Sequence, residues 1–236
     1  MMDTDTPAGW GRTRPALWDR MRSGVVPAGA GLAAALVAVA LLAPLITPHD
    51  PTAVDLARRL QGPDAVHWLG TDHLGRDILA RLVHGARVSL GAVATVLALV
   101  LALGIGVGGL AGFAGGRVDQ VIMRLCDIFL TVPTFVLAMF MVGVLGTGLT
   151  NVVLAIALSH WAWYARLVRG LVLSLREREH VLAARVAGAG RLTVFREHIL
   201  PGVMAQLVVP ATLDIGHMML HVAGLSFLGL AAERGT

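Results

Sequence analysis

Apolar residues in this chain are gathered into runs too long for one face of a soluble helix, and the charges are concentrated in the short segments between them. A helix rises 1.5 Å per residue, so a hydrocarbon core of about 30 Å takes about 20 apolar residues to cross. Five stretches meet that requirement: residues 25–46, 88–114, 121–145, 151–171 and 202–224. The first carries no charge and exceeds the core of a signal peptide, about 7–15 residues, so it reads as an uncleaved anchor. Residues 128–164 contain no Arg, Asp or Glu, and Gly143, Gly146 and Gly148 cut that stretch into a tight hairpin of the third and fourth spans. The expected fold is an all-α polytopic membrane protein with five spans.

Composition agrees. The 236 residues are 56% hydrophobic and 14% charged, where soluble domains have about 45–50% and about 25%. Disorder and a disulfide scaffold are excluded, and Cys126 has no partner cysteine in the chain. The net charge of +4 is not a nucleic-acid signature, because the basic residues, all arginine, lie in blocks between apolar runs. Such blocks set membrane orientation. The tail 1–24 with Arg12, Arg14, Arg20 and Arg22, the 115–124 turn and the 166–196 segment fall on one side by alternation, which makes them cytoplasmic. The 47–87 loop falls outside, its Arg58, Arg59, Arg76, Arg81 and Arg87 balanced by Asp50, Asp55, Asp64, Asp72 and Asp77. Pro48, Pro51 and Pro63 predict an irregular first half, and the spacing of Leu74, Ile78 and Leu82 predicts an interfacial helix over 72–85.

Three motifs bear on function. Gly104, Gly106 and Gly109 spell GxGxxG, but inside an apolar span with no preceding strand they cradle no dinucleotide. Gly104, Gly108 and Gly112 recur every four residues and predict a flat helix face for close packing. No Walker A pattern occurs, so the chain itself hydrolyses no nucleotide. The stretch 175–201, LREREHVLAARVAGAGRLTVFREHILP, alternates apolar and basic positions at helical spacing and breaks at Gly188 and Gly190. It predicts a helix, a turn and a second helix, either resting on lipid phosphate or presented to a soluble partner. Small residues at Ala183, Ala184, Ala187 and Gly188 favour close approach by a partner.

Ala183-Ala184, Gly188 and Leu200-Pro201 resemble the cytoplasmic loop of ABC importer permeases. LGTDHLGRDILARLVHGARVSL at 69–90 and LSFLGL at 225–230 resemble the peptide/nickel importer permeases, and the likeness runs over residues 36–230. GRVDQ (116–120), MVGVLGTGLTNV (141–152), ALSHWAWYARLVR (157–169) and TLDIGHMMLHVAG (212–224) resemble the nickel-transport branch in particular. The resemblance implies an ABC type I importer transmembrane domain in a bacterial inner membrane. Its core would be 88–230, with a loop at 173–201 that docks an ATPase through Glu179, Val181, Ala183, Ala184, Arg185, Gly188, Ala189 and Pro201. It implies a homologous second permease, two cytoplasmic ATPase subunits that hydrolyse ATP, an external substrate-binding protein, a nickel ion or nickel chelate as cargo, and no cofactor. Leu182 stands where the family has an acidic residue, His198 where it has Ile, and Val222 where peptide-type members carry Glu. The family continues into an external loop and a sixth span where this chain reads AAERGT, so a truncated end is expected at 231–236.

Asp214, His217 and His221 recur at spacings of three and four and share one helix side. Ionisable groups at membrane depth are costly and face a cavity or a partner. Imidazole suits Ni(II), and Met218 and Met219 lie beside the pair. These residues are candidates for the substrate path, with transient metal contact at His217 and His221; hydrogen bonding to neighbouring helices is the alternative. His160, beside Trp161 and Trp163, reads as an interfacial anchor. His67 and His73 read as solvated loop histidines, with contact to a delivered metal as the alternative. Two rival functions stand beside a nickel permease: a dipeptide or oligopeptide permease, and an intramembrane metallo-enzyme, which would lack the adjacent Glu of HExxH.

Overall fold

The computed structural model describes residues 26–231. The tail 1–24 and residues 232–236, and with them the expected cytoplasmic tail and most of the truncated end, lie outside the described residues. Among the described residues every regular element is helical, and the one β-type contact is an isolated bridge between Thr71 and Asp77. The chain divides into two compact units, Met1–Val88 and Ser89–Thr236.

The first unit opens with α1 (Val26–Leu41) and α2 (Ala43–Ile46), separated by a turn at Leu42. Pro44 has no N–H to give to the preceding turn, so the stretch expected as a single span is interrupted there. The loop that follows is irregular but ordered by its aspartates. Asp72 Oδ1 accepts the N–H groups of Leu74 at 2.8 Å and Arg76 at 3.0 Å, and Oδ2 takes Arg76 Nε at 2.9 Å and the Arg81 guanidinium. Burial raises the pKa of this carboxyl, but the hydrogen bonds from Arg76 and the backbone outweigh it and hold it well below the usual carboxylate range. This turn replaces the first part of the helix expected over 72–85. The helix, α3 (Ile78–Leu103), instead starts after Asp77, whose Oδ1 accepts from Ala80 N at 2.9 Å. Asp55 pairs with Arg58, whereas Asp50 and Asp64 spend themselves on the backbone N–H groups of Thr52 and Val66. His73 is exposed as expected; His67 is buried, which corrects the solvated reading.

In the second unit, α3 passes through a π-helical turn, Gly104–Gly108, into α4 (Gly109–Ala114). Then come α5 (Gly116–Thr131), α6 (Thr134–Leu145), α7 (Leu149–Leu175), α8 (Glu179–Val186), the short α9 (Arg191–Thr193), a second π-helical turn at Val194–Ile199, and α10 (Leu200–Phe227). Ile78–Ala114 and Arg191–Phe227, 37 residues each, are long and apolar enough to cross a bilayer. The stretch expected as one straight third span is instead α5 and α6, meeting at 92°. The cause is local: Pro133 drives Val132 into an extended conformation and supplies no N–H, so the helix stops and restarts. The expected hairpin forms at Gly146 and Gly148, both at positive φ, while Gly143 stays inside α6.

Helix α7 is the centre of this unit. Val152, Ile156, Val168 and Val172 join Val96 and Val100 of α3, Val142 of α6 and Val203 and Leu207 of α10 in one core. The glycine stripe faces it. A Cβ at Gly104 would lie 2.5 Å from Tyr164 Cβ, one at Gly108 would run into the Ala165 carbonyl, and one at Gly112 would lie 2.9 Å from Val172 Cβ. Small residues let two backbones approach where lipid provides no hydrophobic drive for association. A second contact joins α5 and α7 through Cys126, Trp161, Ala162 and Ala165, with the Phe129 and Trp161 rings edge to face at 5.3 Å. Arg169 holds Asp119 in a two-pronged pair at 2.6 Å on each side.

Gly108→Val is therefore expected to destabilise the protein by about 1–3 kcal/mol through overpacking, read as a lower thermal midpoint of the detergent-solubilised chain. Gly106→Ala, whose Cβ meets nothing within 4 Å, is expected to leave the midpoint unchanged or slightly raised. Equal loss from both would show that the stripe is not a packing seam.

Candidate functional site

Two sites stand out in the second unit. The first is the segment between α7 and α10. Three residues separate the end of α7 from helix α8, which is closed by Gly188 at φ +87°, a conformation that favours glycine. Glu179, Ala183, Arg185, Gly188 and Pro201 are exposed, Ala184 and Ala189 are half-buried, and Val181 is fully buried in the core with Val172 and Val194. Val181 thus anchors the helix from beneath. The outer side adds apolar groups, Leu182, Val186 and Leu192, all exposed, to the small residues that the sequence singles out. Beside α8 a cleft of about 400 Å³ is lined by Phe113, Arg176, Glu177, Arg185, Ala189 and Arg191. Arg191 sits over the Phe113 ring at 5.3 Å, and Arg176 bonds the Gly112 carbonyl at 3.3 Å. The second helix expected after the turn is not separate from the last apolar stretch. It runs on through the π-helical turn into α10, ahead of Pro201, whose ring offers no N–H to the turn before it.

The second site is a polar cluster between α7 and α10. Asp214 Oδ2 accepts from His160 Nε2 at 2.9 Å and from Tyr164 OH at 3.1 Å, and Oδ1 lies 3.6 Å from His217 Nδ1. An aspartate at the centre of a membrane helix costs about 2.5–3.5 kcal/mol on insertion scales. Interhelical hydrogen bonds in a bilayer average about 0.6 kcal/mol. The two such bonds, from His160 and Tyr164, offset less than half of the cost, so packing stability alone does not account for Asp214. His221 Nδ1 donates to the His217 carbonyl at 2.8 Å, which leaves Nε2 as the lone-pair nitrogen of the neutral ring, and the ring lies 5.8 Å from Phe135.

The expected substrate-path set is only partly gathered. Asp214 is buried, while the His217 side chain is 71% exposed and His221 is half-buried. Met218 faces the core with Val222 and Leu225. Among the described residues Asp214, His217 and His221 do not bring three donor atoms close enough for a single ion. His160 and Tyr164 take the place beside Asp214, and His160 is no mere interfacial anchor: its side chain is 16% exposed and bonded across to α10. Their spacing of four puts both on one helix face, a signal present in the sequence. Two neighbouring tryptophans masked it, because Trp161 and Trp163 read as an aromatic belt.

The family described as "Binding-protein-dependent transport system inner membrane component" matches residues 104–233, which include the glycine stripe, α8 and the polar cluster. The chain is 62% identical over 208 residues to the nickel transport system permease protein NikC of Escherichia coli K12, covering 86% of this chain and 75% of that protein. It is 42% identical over 194 residues to the probable D,D-dipeptide transport system permease protein DdpC of the same organism, covering 82% and 65%. With the glutathione transport system permease protein GsiD of Pectobacterium atrosepticum it shares 39% over 218 residues, covering 92% and 72%. More than half of its length matches the family and its relatives are aligned over most of their own, so the chain belongs to the inner-membrane permease components of binding-protein-dependent transport systems.

Proposed function

We propose that this chain is the permease subunit of an ATP-driven importer that carries nickel, as the ion or a chelate, across the bacterial cytoplasmic membrane. The observation that carries the reading is the margin by which a nickel permease exceeds the peptide and glutathione permeases in identity to this chain. Val222, where peptide-type members carry Glu, points the same way. In this reading the chain crosses the membrane five times, with α5 and α6 together forming a bent third span, and its N-terminus and α8 face the cytoplasm. Partner ATPases seat on the exposed side of α8 around Glu179, Ala183, Ala184, Arg185 and Gly188, with Ala189 and Pro201 at the edge. A homologous permease supplies the other half of the path, and an external binding protein delivers the cargo.

The chemistry required of this chain is modest. ATP-driven closure of the partners displaces α8, and Val181 ties that displacement to the core that α7 and α10 share. His217 and His221 then offer imidazole nitrogens to nickel in passing, with Asp214 compensating the cation's charge and His160 and Tyr164 holding the carboxylate in place. Two imidazoles leave most of the nickel shell to water or to the chelator, and weak binding suits a site that must release its cargo.

Deleting the gene is expected to abolish high-affinity uptake of radioactive nickel, and complementation with His217→Ala/His221→Ala to restore inserted protein but not uptake. Unchanged nickel uptake in the deletion strain, with uptake of a labelled dipeptide lost instead, would overturn the nickel reading and leave a peptide permease. Ala183→Trp, on an exposed position, is expected to keep the protein inserted while uptake falls about tenfold or more and the ATPase subunits no longer co-purify, as for an obstructed contact at the centre of an interface. Normal uptake with Trp at 183 would remove α8 from the docking surface.

A further inference from the structure

Within the first unit, three side chains from separate points of the loop converge on one spot. His67 Nδ1 lies 2.9 Å and His49 Nδ1 3.4 Å from the same oxygen, Asp77 Oδ2. The three candidate donor atoms all lie within 4.8 Å of one another, and the two imidazole rings are 5.3 Å apart. Each donor is set by its own local structure. Asp77 uses Oδ1 to cap α3 at Ala80 N, which leaves Oδ2 free for the histidines. His67 is fixed by a turn in which Asp64 accepts the N–H groups of Val66 and His67. His49 follows Pro48 at the end of the first helical stretch.

The cluster is buried on one side and open on the other. His67 is 8% and Asp77 5% exposed, whereas the His49 side chain is 41% exposed. Two clefts, of about 210 and 150 Å³, both include His49 and Asp77 in their walls, so a cation with water or a chelator still attached can reach the carboxylate. A divalent cation held among these atoms engages both rings and the carboxylate together, each neutral ring binding through Nδ1 with its proton on Nε2. Two imidazole nitrogens and one carboxylate form a borderline set suited to nickel(II), with at least one coordination position left open.

We infer that His49, His67 and Asp77 form a nickel-binding site on the external loop that takes up the cation before it enters the membrane path. The inference rests on the nickel reading for its cargo and on the loop's external placement. One neighbour opposes the ion: Arg58 NH1 lies 3.4 Å from His67 Nε2. A His67 bound through Nδ1 carries its proton on Nε2, so this arginine must turn away, and it is half exposed with Asp55 as its other partner. Arg58 therefore weakens the site, which suits a station that passes its cation on.

The test uses the full-length chain in lipid nanodiscs, equilibrated with radioactive nickel chloride, with uptake by cells at limiting nickel measured alongside. His49→Gln, at an exposed position whose role in the fold is small, is expected to weaken nickel binding and low-concentration uptake about tenfold or more, a loss of the size seen when metal-site partners are removed. Uptake should recover at saturating nickel, and inserted protein by immunoblot should not change. His67→Gln and Asp77→Asn should behave alike, and Arg58→Gln should tighten binding, a direction that a purely structural network does not produce. Wild-type affinity and uptake in His49→Gln and His67→Gln, in a strain where gene deletion abolishes nickel uptake, would overturn the loop site and leave the nickel permease standing. Weakened binding in the same variants, with nickel uptake untouched by gene deletion, would keep the metal site and overturn the nickel permease.

Discussion

The contact between the Gly104, Gly108, Gly112 stripe and helix α7 is the constraint on which the second unit depends. Where a helix is surrounded by lipid, burying another leucine gains nothing, so association needs close backbone approach and dispersion contacts. The stripe supplies that approach, because a Cβ at Gly104, Gly108 or Gly112 would press on Tyr164, Ala165 or Val172. With α7 held there, its other sides receive α5, α6 and α10. The outward faces can then be apolar, as Val121, Ile128, Val144, Leu213 and Leu220 are. This is the inverse of a soluble bundle, in which the core holds the most apolar side chains.

That arrangement explains why α7 can carry His160, Tyr164 and Arg169. A helix enclosed by protein can host polar groups that lipid would reject, provided each finds a partner. Arg169 finds Asp119, and His160 and Tyr164 find Asp214. The helix least suited to lipid by composition is thus the one most enclosed, and the polar chemistry of the unit is gathered along it.

Much of this was legible in the sequence. Long apolar runs announce helices in a membrane, the four-residue glycine period announces a packing seam, and Gly188 announces the end of α8. Two failures have a common cause. The 92° bend between α5 and α6 is written in Val132-Pro133, and the pairing of Tyr164 and His160 with Asp214 in their i, i+4 spacing. In both places a run of strongly apolar or aromatic neighbours outweighed a local signal. The convergence of His49, His67 and Asp77 was beyond reach for a different reason. They are separated by irregular backbone, and their meeting depends on turns built by Asp64 and Asp72 whose geometry no periodicity encodes.

Helix α8 joins the two helices whose side chains meet at Asp214. From the end of α7 back to His160 is 15 residues, and from Arg191, where the continuous helix that includes α10 begins, forward to Asp214 is 23, so the two partners stand about 22 Å and about 35 Å along helix from the segment that connects them. Segment α8 is therefore tied to both sides of the His160, Tyr164 and Asp214 contact by continuous helix. A small change in the angle between α7 and α10 at their α8 ends becomes a larger lateral shift at that depth, where hydrogen bonds of 2.9 and 3.1 Å tolerate little. The bonds to Asp214 offset less than half of its cost in the membrane, so breaking them takes little free energy.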